Sequence, residues 1–104
     1  MTVDVRSAVA PSFTGSTSPV IRIGLEAFER TLGRRPLLTR SGGTVPIRAA
    51  LSGRSIPTIH TGFDVPSGNA HAPDERLYLP YLTAGVAAAR ETLLGLGALN
   101  RHCE

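Results

Sequence analysis

Apolar and polar positions divide the chain into short extended runs and longer helical ones. Residues Thr2 to Val9 alternate, with Val3 and Val5 apolar and Ala8 and Ala10 following after a slip; this pattern predicts a short strand. Pro11 to Ser18 is rich in Ser, Thr, Gly and Pro and reads as a loop. Next, Ile21, Leu25, Phe28 and Leu32 recur at helical spacing. Ser18 is placed to cap that helix, Pro19 suits its first position, and Gly33 stops it. Pro36 to Thr39 predicts a short strand, Ser41 to Thr44 a tight turn, and Val45 to Leu51 a short helix ended by Gly53. The β-branched run Ser55 to Thr61 predicts the best strand, despite Pro57. A loop follows from Gly62 to Pro73. Leu79 to Ala98 then predicts a long amphipathic helix, with Leu82, Val86, Ala89 and Leu93 on one stripe.

Helices alternating with short apolar strands predict an α/β layer: a partial parallel sheet with flanking helices. The domain division that follows is 1–13, a strand and linker, and 14–104, the α/β part. Two or three strands make a poor parallel sheet, because such sheets are normally wider and covered on both faces. The pattern therefore reads as the end of a sheet whose other strands lie elsewhere.

Composition narrows the function classes. Of 104 residues, 41% are hydrophobic, which suits a globular core, but aromatics are only 5% and Trp is absent. The net charge is +3 and all 11 basic residues are arginines, scattered with no run longer than two. A nucleic-acid surface calls for a clustered basic stripe with stacking rings, so no nucleic-acid partner is expected. Cys103 is the single cysteine, which excludes an internal disulfide framework and fits a reducing, cytoplasmic setting. The start of the chain has no signal-peptide core, and no stretch reads as a membrane span of about 20 apolar residues, so no membrane partner is expected.

Two segments carry candidate chemistry. The loop GFDVPSGNAHAPDE follows the strongest predicted strand, where open α/β sheets place their ligands. In it, His71 sits between small Ala70 and Ala72, with Asp74 and Glu75 close behind. Neutral imidazole is a common zinc ligand, and a nearby carboxylate often fixes its tautomer. On spacing alone, a surface-loop histidine beside a helix-capping acid fits better. The turn Ser41-Gly42-Gly43-Thr44 opens a helix, and its backbone N–H groups favour an anion. On local grounds a plain strand-to-helix turn fits better. His60, in a predicted strand, and His102, near the C-terminus, are given no role.

Together, SGGTVPIRAALSGRSIPTIHTGF and NAHAPDERLYLPYLTAGVAAARETL resemble the end of the catalytic domain in the two-zinc metallopeptidase family. That family includes aminoacylases, carnosine dipeptidases, desuccinylases and glutamate carboxypeptidases. The resemblance spans residues 19 to 98. It implies that His71 is the last metal ligand of a two-zinc site. It also implies that Gly43 and Thr44 bind the substrate carboxylate and that Asn69 shares the site loop. Thr2 to Val9 would be the last strand of the lid or dimerisation domain. The expected function is a fragment of a metal-dependent hydrolase acting on short peptides or N-acyl amino acids. The family's other ligands and its general-base glutamate have no counterpart here, and catalytic zinc needs about three protein ligands. No catalytic residue is therefore assigned, and a partner chain carrying the missing half is expected. The alternative is an inactive remnant serving as an interaction module.

Overall fold

A computed structural model describes residues 1–43 and 45–101, without the side chains of residues 100 and 101. It contains three α-helices: α1 (Pro19–Leu32), α2 (Pro46–Gly53) and α3 (Pro80–Arg101). A single 3-10 turn, Pro66–Gly68, lies between α2 and α3.

The helices start and stop near the predicted places. Pro19 occupies the first turn of α1, where a missing N–H costs no hydrogen bond. The Ser18 hydroxyl makes no capping bond, contrary to expectation; its carbonyl accepts from the Arg22 N–H at 3.1 Å. Gly33 adopts φ 74°, and its N–H donates to the Glu29 carbonyl, as a left-handed C-terminal cap should. Pro46 and Pro80 likewise open α2 and α3.

The predicted α/β layer is absent: among the described residues no strand forms at 2–9, 36–39 or 55–61. Among the described residues no backbone ladder joins these segments to a neighbour, and a strand exists only as part of a ladder; Ser55 lies in a turn with a left-handed φ of 57°. Pro36 and Pro57 each remove a donor such a ladder would use. The segment around Thr58 is instead tied to the loop before α1. The Thr14 hydroxyl donates to the Thr58 carbonyl at 3.1 Å and accepts from the Thr58 N–H at 3.4 Å. Ile59 then lies directly over Gly24 of α1. A Cβ at that glycine would stand 2.8 Å from the Ile59 Cδ1, so a side chain there would push the tip of Ile59 aside.

Tertiary structure centres on α1 against α3. Ile23 meets Gly95 and Arg30 reaches Glu91 at 3.9 Å, so the two helices run antiparallel. The approach is close: a Cβ on Gly95 would be 2.6 Å from the Ile23 Cγ2. Ala27 and Ala88 are fully enclosed, and Ile21 and Phe28 complete the buried apolar set among the described residues. Phe28 stacks on Phe63 with centroids 5.7 Å apart, and Phe63 leads on through Tyr81 to Tyr78. This aromatic row fastens the chain after Thr61 to the start of α3.

The stripe Leu82, Val86, Ala89 and Leu93 faces solvent, while Tyr81, Gly85, Ala88 and Thr92 turn toward the interior. Over Pro80–Leu99 the mean hydropathy is 1.2, long and apolar enough to cross a membrane by length and composition, which the sequence reading did not anticipate.

So small a core leaves an open molecule. The accessible surface is 8628 Å², whereas a folded monomer of 11.0 kDa exposes about 5,600 Å². The radius of gyration is 16.6 Å, against about 13 Å for a compact chain of this length. The molecule is a plate 57 by 37 by 18 Å.

Candidate functional site

The loop from Asp64 to Arg76 holds itself by short local bonds. The Val65 N–H donates to the Asp64 Oδ1 at 2.8 Å, and the Gly68 N–H donates to the Val65 carbonyl at 2.8 Å. The Arg76 N–H closes the loop onto the Gly68 carbonyl at 2.9 Å. Gly68 is buried beneath this clasp with Asp64 packed against its Cα, leaving no space for a side chain.

Above the clasp the chain turns sharply. Asn69, His71 and Asp74 adopt φ of 55°, 60° and 59°, all left-handed. That region costs a residue with a Cβ about 1–2 kcal/mol; Asn, Asp and His are the side chains that visit it most. The Ala72 N–H donates to the Asn69 carbonyl at 3.0 Å, fixing the crest of the turn. Every residue from Asn69 to Pro80 is exposed. His71 thus projects from a braced turn, with no hydrogen bond or ion pair to its ring among the described residues.

The other expected site residues are not drawn to it. The Gly43 N–H, assigned to a substrate carboxylate, is occupied by the Ser41 Oγ at 3.2 Å. That hydroxyl would have to rotate away before Gly43 could meet an anion. Thr44 lies outside the described residues, as does His102. Gly43 and Asn69 hydrogen-bond only within their own turns, and no bond joins either to His71 among the described residues. No group of three or more His, Cys, Asp or Glu side chains able to hold a metal ion occurs among the described residues. His71 alone does not fit the three-ligand demand of catalytic zinc.

Two shallow grooves lie elsewhere. One, of about 210 Å³, runs between the Phe13–Ser18 loop and the Ser52–Pro57 segment. The second, of about 100 Å³, is apolar and is framed by Ile21, Phe28, Leu38 and Ile59, with His60 at its edge. Neither is lined by Gly43, Asn69 or His71. Sequence reasoning also missed the outward leucine face of α3. Its 4-3-4 spacing was visible, but which side of the helix would be covered was not.

Compared with protein-family models, curated proteins and solved structures, the chain gives no match to any of them.

Proposed function

We propose that this chain is one part of a two-metal hydrolase of the dipeptidase, carboxypeptidase or N-acyl amino acid amidohydrolase type. It supplies His71 as a metal ligand, and Gly43, Thr44 and Asn69 to the substrate's carboxylate end. A second chain or segment supplies the remaining ligands and the general base. Two zinc ions held in this way would polarise the scissile carbonyl and activate a water. The observation that carries the proposal is the imidazole of His71, exposed, unpartnered among the described residues and braced on a left-handed turn. The order of the two sequence motifs supports it, and so does the large open surface, which suits a chain that functions against another.

The test is zinc-dependent hydrolysis of dipeptides and N-acetyl amino acids. The isolated chain should show no turnover and no tight zinc binding, since one imidazole is a weak site. Activity should appear on mixing with a chain that carries the missing carboxylates, and His71→Ala should abolish it. Robust turnover by the isolated chain would contradict the division of the site, and retention of full activity by the mixed His71→Ala protein would remove the ligand role.

A second reading, an interaction module without catalysis, is favoured by one separate observation: Leu82, Val86, Leu93 and Leu94 are each more than half exposed on a single helix.

A further inference from the structure

We draw no further inference here: the strongest candidate, the exposed apolar face of α3 formed by Leu82, Val86, Leu93 and Leu94, carries none because nothing in the structure shows what covers it.

Discussion

The two faces of α3 differ in the reverse of what side-chain size suggests. The inner face, against α1, is built from Gly85, Ala88, Thr92 and Gly95; the outer face carries Leu82, Val86, Leu93 and Leu94. Small residues win the inner position because they let two backbones approach, and many weak dispersion contacts then form along the whole crossing. The bulky residues left outside gain nothing until something covers them. Apolar bulk therefore does not mark the core here, and close approach does.

The sharpest way to break the inner face is Phe28→Ala. Phe28 is 8% exposed and is the ring on which Phe63 stacks. Its removal should cost about 3–5 kcal/mol, enough to abolish cooperative thermal unfolding in a chain with so small a core. A melting curve as cooperative as the wild type's would show that the aromatic row does not hold the fold. Gly95→Leu attacks the same face by overfilling it. The new Cβ would stand 2.6 Å from the Ile23 Cγ2, on a branched side chain with little room to turn. The expected loss is about 1–3 kcal/mol, read as a lower midpoint in urea. Glycine in a helix costs about 1 kcal/mol relative to alanine, so a rise in midpoint would mean that the helices are not in close contact at that point.

How much of this was readable in advance depends on whether a residue's structure is set by its neighbours in sequence or in space. Helix starts at Pro19, Pro46 and Pro80 and the stop at Gly33 are local events, and the chain shows them. The strands were not legible, because Ser55 to Thr61 carries a strand's composition without a strand's neighbour. Ile59 lies on Gly24 in place of a ladder. The exposure of His71 could be read from its Gly-, Pro- and Asn-rich loop. The capture of the Gly43 N–H by Ser41 could not, since a free amide and an occupied one share the same sequence. The periodicity of α3 was plain, but which face of the helix is covered depends on how α1 packs against it, and the spacing does not state that.

The site loop offers a smaller test, of opposite sign. His71 holds a left-handed φ of 60° on an exposed turn. His71→Gly should relieve about 1–2 kcal/mol of backbone strain while costing about 0.5–1 kcal/mol in chain entropy. The balance is a rise in stability of about 0.5 kcal/mol, seen as a slightly higher urea midpoint. A residue that costs stability where it stands fits a position kept for ligand binding, and a fall in midpoint would remove that argument.

The smallest effect on the single chain is expected from Leu93→Glu. Leu93 is 69% exposed, so the substitution should change monomer stability by less than about 0.5 kcal/mol. This contrasts with the Gly95→Leu loss two residues away. Urea midpoints of the two variants, measured side by side, read the difference. A large loss in Leu93→Glu would place Leu93 against its own chain and reverse the assignment of the two faces.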